Sequence, residues 1–178
     1  RLVGSEMCIR DRILAARGAK VVVAARRVDR LESLVAEIVA AGGEAVAVAM
    51  DVTSAESIEA AFDQGEAALG TITVVANNAG VADMRTALKI DEASWDRMMD
   101  TNLKGVWLVA QQAAKRMIAA GVGGAIVNTA SILGLRVSFG QSSYSVSKAA
   151  VIQLTKALAV EWAGKGVRVN ALCPGYFL

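Results

Sequence analysis

Apolar residues along the chain follow two alternating patterns. Five short runs rich in Val, Ile and Ala each predict a buried strand, at residues 20–25, 45–50, 72–76, 125–129 and 167–172. Four longer segments carry apolar residues three and four apart and predict helices, at residues 29–41, 53–69, 94–120 and 143–164. This alternation predicts an α/β fold with right-handed crossovers and one parallel sheet.

Two local signals sharpen the predicted helix boundaries. Gly42-Gly43 stops the first helix, and Thr53-x-x-Glu56 has the spacing of a capping box, which predicts that a helix begins there. The region 94–120 is long enough to form either one helix or two. Asn102 lies inside it, where Asn is a poor helix former, so this residue is expected to hold a bend and a water or else to be exposed.

Composition supports the α/β prediction and excludes several classes of protein. Apolar types make up 54% of the 178 residues and aromatic types only 4%, so the excess is aliphatic. The net charge of +2 is too small to indicate a nucleic-acid partner. The chain has no run of 18 apolar residues that would predict a membrane span. No signal peptide is apparent among the charged first residues.

Missing residue types narrow the chemistry further. The chain contains no His, which excludes Ser-His-Asp and Cys-His machinery and any His-ligated metal. Cys8 and Cys173 lie far apart, so they predict neither a disulfide framework nor a zinc site. A reducing, cytoplasmic location is therefore expected.

The first twelve residues do not fit the α/β pattern. A doubly wound sheet begins with a strand, a glycine-rich turn and a helix. Here Leu2-Val3 is too short for a confident strand, and Gly4 is the only glycine before Gly18. Residues 1–12 are therefore expected to be a foreign junction, followed by a partial doubly wound domain at 13–178. The alternative is a divergent native N-terminus.

Three polar features lie where chemistry is expected. Tyr144 and Lys148 are four residues apart and so share one helix face. A nearby ammonium favours the phenolate form of a tyrosine, which suits it to proton transfer, although many solvated helix faces carry the same pair. Ser131 follows the run 125–129, and ligands bind at the carboxyl ends of such strands; the alternative is an ordinary turn serine.

Five short motifs in this order resemble the short-chain dehydrogenase/reductase family over about residues 13–178. They are Asn77-Asn78-Ala79-Gly80, Asn102-Leu103-Lys104-Gly105, Ile126-Val127-Asn128 leading to Ser131, Tyr144-x-x-x-Lys148, and Arg168-Val169-Asn170 leading to Pro174-Gly175. The resemblance implies a Rossmann-type doubly wound parallel sheet. It also implies interconversion of carbonyls and secondary alcohols with a nicotinamide cofactor.

The resemblance implies a role for each matching residue. Tyr144 would be the general acid/base, with Lys148 binding the nicotinamide ribose and favouring the phenolate. Ser131 would polarise the substrate carbonyl, and Asn102 would complete a proton relay through water. The remaining matches would contact the cofactor: Asn78, Ala79 and Gly80 in its groove, and Pro174 and Gly175 beside the nicotinamide.

Charge after the first predicted strand indicates which cofactor is used. NAD-specific relatives carry an acidic residue where this chain has Ala25, and Arg26 and Arg27 follow it directly. Arginine can pair with a 2′-phosphate, so NADP is favoured over NAD; the alternative is a solvated basic turn. Asp51-Val52 resembles the family pair that contacts adenine, unless Asp51 only forms a turn before the capping box.

Two departures from the family pattern affect function. The phosphate loop Thr-Gly-x-x-x-Gly-x-Gly is absent, because Cys8 and Arg10 stand where its second and third glycines would follow Gly4. The missing first strand belongs at the centre of the sheet, so its loss should leave unpaired strand edges. The sequence given ends at Leu178, so the family's substrate-covering segment cannot be read.

Three functions remain open from the sequence. The favoured one is a cytoplasmic NADP-dependent oxidoreductase, represented here by a poorly active partial chain. The others are a non-catalytic binding subunit and an epimerase or dehydratase of the extended family. The substrate is expected to be a small molecule, among polyols and sugars, 3-oxoacyl thioesters and hydroxysteroids. The apolar helices at 94–120 and 143–164 predict that the full-length protein is a homodimer or homotetramer.

Overall fold

A computed structural model describes residues 5–176 of the chain, with side chains from residue 9 onward. The chain divides into two compact units, the first ending at Ile72 and the second beginning at Thr73. Elements of the first unit are α1 (Ser5–Ala16), β1 (Lys20–Ala25), α2 (Val28–Ala40), β2 (Glu44–Ala49) and α3 (Ala55–Leu69). Those of the second are β3 (Val74–Asn77), α4 (Glu92–Met99), α5 (Gly105–Ala119), β4 (Gly124–Thr129), α6 (Ser142–Trp162) and β5 (Val167–Leu172).

The first unit is a two-stranded parallel sheet covered by helices on both faces. β1 pairs with β2 in the register Val21↔Ala45 to Ala25↔Ala49. Val21 and Val23 pack into one buried cluster with residues of α2, among them Leu34. Val22 points to the other face, where its methyl groups lie 3.0–3.1 Å from the position a Cβ on Gly65 of α3 would take. The alternation of a strand therefore explains why both faces are apolar.

The second unit is a three-stranded parallel sheet in the order β3-β4-β5. α5 and α6 pack together and onto this sheet, and Val106, Ala130 and Val151 form their shared buried cluster. Met117 of α5 approaches the sheet so closely that a Cβ on Gly124 would lie 2.5 Å from its Sδ atom. The helices are thus held at short distance from the strands whose carboxyl ends carry the candidate site.

The predicted helical region 94–120 forms two helices joined by a wider turn. α4 and α5 are continuous through a π-helical turn at Asp100–Lys104, with Asn102 at its centre. Such turns insert one extra residue and occur often at functional sites. The expectation that Asn102 marks an irregularity is confirmed, and its side chain is buried rather than exposed.

The structure corrects the prediction of one hydrogen-bonded sheet. Among the described strands, β1 pairs only with β2, and β3 pairs only with β4, so two parallel sheets form instead. The described residues before β1 form α1, which runs through residue 12 without a break. No described strand therefore pairs with both β1 and β3. Leu2, Val3, Gly4 and Leu178 lie outside the described residues.

The N-cap of α3 lies one residue after the predicted position, and Ser57 rather than a glutamate stands three residues beyond it. Asp51 Oδ1 accepts hydrogen bonds from the backbone N and the Oγ1 of Thr53, at 2.9 and 2.7 Å. Because the hydroxyl of Thr53 is used there, Ser54 becomes the N-cap of α3, and its Oγ accepts from Ser57 N at 3.1 Å.

Within residues 5–176 no helix has the length and apolar character needed to span a membrane.

Candidate active site

The carboxyl ends of the three strands of the second unit bring most of the candidate residues together. Asn78 follows β3, and its Oδ1 accepts a hydrogen bond from Thr129 Oγ1 at the end of β4, at 2.9 Å. Pro174 follows β5, and its carbonyl oxygen accepts from Ile132 N, next to Ser131, at 2.9 Å. These bonds tie the three strand ends to one another. Ligands bind at this edge in open α/β sheets.

Asn102 fixes the chain that follows β3. Its Oδ1 accepts from Val81 N at 2.8 Å, and its Nδ2 donates to Val81 O at 2.9 Å. The paired bonds fix the orientation of the amide. In the reverse orientation Nδ2 would face the Val81 N–H and Oδ1 would face the Val81 carbonyl oxygen. Asn102 therefore holds Val81, and with it Gly80, at a fixed position beside the π-helical turn.

Lys148 extends from α6 into the same edge of the sheet. Its side chain is only 4% exposed, and its Nζ donates to Thr129 O at 2.7 Å. Burial disfavours the charged ammonium and lowers the pKa of Lys148 from 10.5 to about 8. At neutral pH the ammonium is still the main form, and two of its three hydrogens are not used by the bond to Thr129.

Tyr144 stands one helical turn before Lys148 on the same face of α6. The Lys148 Nζ atom lies 5.7 Å from the centroid of the Tyr144 ring, within range of a cation–π contact. The ring is half-buried. The spacing that singled out these two residues thus corresponds to a direct side-chain contact.

Ser131 is the N-cap of a short 3-10 turn, Ile132–Gly134, which packs against α6. Its Oγ accepts from Leu133 N at 3.2 Å, which leaves the hydroxyl hydrogen able to donate to another oxygen. The turn approaches α6 so closely that a Cβ on Gly134 would lie 2.8 Å from the backbone carbonyl of Lys148. Glycine at this position lets Ser131 be held against the helix that carries Tyr144 and Lys148.

The lowered pKa of Lys148 makes the stability of the fold depend on pH. Between about pH 8 and about pH 10.5 the folded chain loses this proton while the unfolded chain keeps it. The unfolded state then binds more protons, so the free energy of unfolding contributed by Lys148 should rise with pH across this window. Below pH 8 both states are protonated and the contribution is constant.

Lys148→Met should remove this rise. Urea denaturation of the unaltered chain and of Lys148→Met across this pH window measures the effect. The difference between their free energies of unfolding should grow as the pH rises. Lys156→Met is the matched control, since Lys156 is an exposed lysine on the same helix, and its curve should run parallel to that of the unaltered chain. A Lys148→Met curve that also ran parallel would contradict the burial argument.

The first unit brings its own candidate residues together at one end of its sheet. Arg26 and Arg27 follow β1 and are exposed, and Asp51 and Val52 come shortly after β2, its neighbour. Hydrogen bonds from the Thr53 amide and hydroxyl lower the pKa of Asp51, and the positive charge of Arg26 lowers it further. Asp51 thus accepts two hydrogen bonds within a turn before α3 and stays ionised beside an exposed arginine.

The second unit leaves open space beside donors of the kind that bind the hydroxyl groups of a ribose. A Cβ on Gly80 would lie 3.3 Å from Asn102 Oδ1 and 3.6 Å from Lys148 Nζ, so the glycine leaves open the space beside both groups. Ala79 and Gly80 are exposed and small, and Lys148 supplies donors for hydroxyl groups. The residues present fit this part of the cofactor. The sequence has no glycine-rich loop for the pyrophosphate.

Two contact residues of the site were not identified from the sequence. Thr129 binds Asn78 through its hydroxyl and Lys148 through its carbonyl oxygen. Ser147 accepts from Asn102 Nδ2 at 3.2 Å and donates to Tyr144 O at 2.7 Å. For Ser147 a signal existed, because it lies three residues after Tyr144 on the same helix face.

A buried polar chain connects this site to the core. Asn77 Nδ2 donates to Asn128 Oδ1 at 3.0 Å, and Asn128 Nδ2 donates to Thr155 Oγ1 at 2.9 Å. The hydroxyl of Thr155 donates in turn to Val151 O at 2.7 Å. β3, β4 and α6 are thereby held in one register, because the side chains of Asn77, Asn128 and Thr155 are all hydrogen-bonded.

Comparison with known proteins gives consistent matches over most of the chain. The profile of the short chain dehydrogenase family matches residues 3–178. Galactitol 2-dehydrogenase (L-tagatose-forming) of Cereibacter sphaeroides is 42% identical over 176 residues, covering 98% of this chain and 66% of that protein. Cis-4-hydroxycyclohexanecarboxylate dehydrogenase of Sinomonas cyclohexanicum is 42% identical over 168 residues, covering 93% and 66%.

A solved structure agrees with these matches. The crystal structure of a short-chain type dehydrogenase/reductase from Mycobacterium marinum superposes with a TM-score of 0.89 at 40% identity, over 93% of this chain and 68% of that one. The chain thus spans just under two thirds of the length of the two curated relatives.

Proposed function

The chain belongs to the short-chain dehydrogenase family, and we propose that its protein interconverts a carbonyl and a secondary alcohol with NADP, using Tyr144 as general acid/base. The observation that carries the proposal is the contact of Tyr144 with the buried Lys148, beside the open space at Gly80. A chain without His has few other groups suited to proton transfer near neutral pH.

Tyr144 donates its phenolic proton to the carbonyl oxygen during reduction and removes the hydroxyl proton during oxidation. The Lys148 ammonium stabilises the phenolate that forms, and its burial strengthens this interaction because the local dielectric constant is low. Thr129 O holds the ammonium in place. When bound, the nicotinamide supplies or accepts the hydride.

Ser131 and Asn102 support the same step in different ways. The free hydroxyl hydrogen of Ser131 donates to the substrate oxygen and stabilises the negative charge that develops there. Asn102 holds the segment at Val81 and is proposed to position a water through which protons pass between Lys148 and solvent. The groove for the cofactor is formed by Asn78, Ala79 and Gly80, with Pro174 and Gly175 beside the nicotinamide.

NADP is the cofactor we propose, with Arg26 and Arg27 binding its 2′-phosphate. Both side chains are exposed directly after β1, and no acidic residue stands at that strand end. Asp51 and Val52 are proposed to contact the adenine. NAD is the weaker alternative, because its ribose 2′-hydroxyl would meet two cations and no acceptor there.

Affinity for the cofactor also requires a phosphate loop, which the sequence lacks. We propose that residues 1–12 stand in place of a strand and the loop Thr-Gly-x-x-x-Gly-x-Gly. A chain with those elements in frame with Ile13 is called the loop-restored chain below. It should bind NADPH more tightly than the 178-residue chain, since loop glycines let the backbone approach the pyrophosphate.

Arg26→Asp in the loop-restored chain should reverse the preference from NADPH to NADH. The change removes a charge-assisted contact and adds repulsion, so the ratio of the two affinities should fall roughly ten- to a hundredfold. Fluorescence titration with each cofactor measures it. Arg30→Asp, an exposed arginine within α2, is the control and should leave the ratio nearly unchanged. Equal affinities in the parent would refute the NADP assignment.

Assembly into a dimer or tetramer is proposed from the outer faces of the second unit's helices. Large apolar side chains are exposed there: Trp95, Trp107, Ile118, Val146 and Val160. Val160 is 82% exposed, so Val160→Asp should weaken association without loss of core packing. Sedimentation velocity should show a dimer or larger for the full-length protein with the phosphate loop restored. A monomer at micromolar concentration would count against this proposal.

A further inference from the structure

Ser147 forms the only described direct side-chain bridge between Asn102 and the turn of α6 that begins at Tyr144. Its hydroxyl hydrogen is committed to Tyr144 O at 2.7 Å, so an oxygen lone pair faces Asn102 Nδ2 at 3.2 Å. Ser147 is fully buried, so its hydroxyl makes these bonds inside the protein rather than to bulk solvent. The direction of both bonds is therefore fixed.

The Asn102 amide depends on this bridge for one of its hydrogens. One hydrogen of Nδ2 is used by Val81 O at 2.9 Å. The other is shared between Ser147 Oγ and Met98 Sδ, which lies at 3.0 Å. A thioether is a weak acceptor, so without the serine this hydrogen would be nearly unpaired inside the protein.

We propose that Ser147 is a positioning residue that keeps the π-helical turn of Asn102 in register with Tyr144 and Lys148 on α6. Tyr144, Ser147 and Lys148 share one helix face, and Asn102 in turn fixes Val81 beside Gly80. Ser147 thereby aligns the cofactor-facing segment after β3 with the acid/base pair. The functional part of this inference rests on the proposed function; the structural link does not.

Hydrogen exchange of the Val81 amide tests the link in the 178-residue chain itself. Val81 N donates to Asn102 Oδ1 at 2.8 Å, so its exchange rate reports on the Asn102 amide. In Ser147→Ala we expect it to exchange about tenfold faster relative to the Ala130 amide, which donates to Leu172 O in the same unit. General destabilisation would accelerate both amides alike.

Ser145→Ala is the matched control. Ser145 is buried two residues away on the same helix, and its hydroxyl has no hydrogen-bond partner among the described residues. Its removal should leave the Val81 exchange rate unchanged. Ser147→Cys retains a weaker donor and acceptor and should give an intermediate rate, which keeps the test decisive if Ser147→Ala does not fold. Parent-like Val81 exchange in either folded Ser147 variant would overturn the proposal.

Kinetics at millimolar NADPH test the functional part. Ser147→Ala should lower kcat for carbonyl reduction about tenfold while KM for NADPH changes less than about twofold, because alignment rather than binding is lost. Unchanged kcat would overturn the positioning role. If the proposed function were wrong, the kinetic result would differ, because Tyr144→Phe would then keep its activity regardless of the result for Ser147→Ala.

Discussion

Tyr144→Phe should lower the rate of carbonyl reduction roughly 10²–10⁴-fold, the usual contribution of a positioned general acid. The substitution removes one hydroxyl and leaves the ring that contacts Lys148, so folding should be unaffected. Affinity for NADPH should also be retained, since Lys148 keeps its bond to Thr129 O and its remaining donors. The loss should therefore appear in kcat and hardly at all in cofactor binding.

Steady-state kinetics of the loop-restored chain with a reactive diketone measures this effect, with a secondary alcohol for the reverse direction. Tyr176→Phe is the matched control, because Tyr176 is the only other tyrosine and is largely exposed. It should keep nearly all of the activity. If Tyr144→Phe kept more than about a tenth of the parent rate with unchanged cofactor affinity, the acid/base assignment would be wrong.

Gly134→Ala should lower the free energy of unfolding by about 1–3 kcal/mol and disturb the site at the same time. Its Cβ would lie 2.8 Å from the carbonyl carbon and oxygen of Lys148 and from Ile152 Cδ1. The Ile152 methyl can move, but the backbone of α6 cannot do so cheaply. The 3-10 turn must then shift away from α6 and carry Ser131 with it, so activity should fall even in molecules that remain folded.

Chemical denaturation and activity measurements on Gly134→Ala and its parent check this expectation. Gly164→Ala is the control, since a Cβ at Gly164 meets no atom within 4 Å, and it should change stability by less than about 0.5 kcal/mol. Full stability and activity in Gly134→Ala would show that the contact between the turn and α6 is not as close as described.

Hydrophobic periodicity predicted the five strands and the helical regions from α2 onward, but not α1. The pattern in α2 predicted a face that includes Leu31, Leu34 and Ile38, all of which are buried. Val39 shares that spacing but is more than half exposed. Spacing along a helix predicts which way a side chain points, but not how much of it neighbouring elements bury.

The site residues could be recognised by spacing, whereas their hydrogen-bond partners could not. Tyr144 and Lys148 belong to one helix, so their proximity follows from local geometry. Asn102 binds Val81, 21 positions earlier in the sequence, and Ser147 binds Asn102, 45 positions before it. Such pairs depend on how α6 and the π-helical turn pack together, and no local pattern encodes that.

Competition between neighbouring polar groups explains the misplaced cap of α3. Thr53 and Ser54 are both suitable N-cap residues, and only the turn formed by Asp51 decides between them. The division into two sheets has a different origin. β1 and β3 would belong to one sheet only if a strand between them paired with both, and the described residues include no such strand.

Direct hydride transfer is the central claim, and a deuterium label tests it most directly. The loop-restored chain would be incubated with NADPH deuterated at C4 of the nicotinamide, in separate reactions for the two diastereomers, together with a diketone. We expect mass spectrometry to find one deuterium on the carbinol carbon of the alcohol product from one diastereomer only, with little product from Tyr144→Phe. Absence of labelled alcohol with both diastereomers would contradict the account.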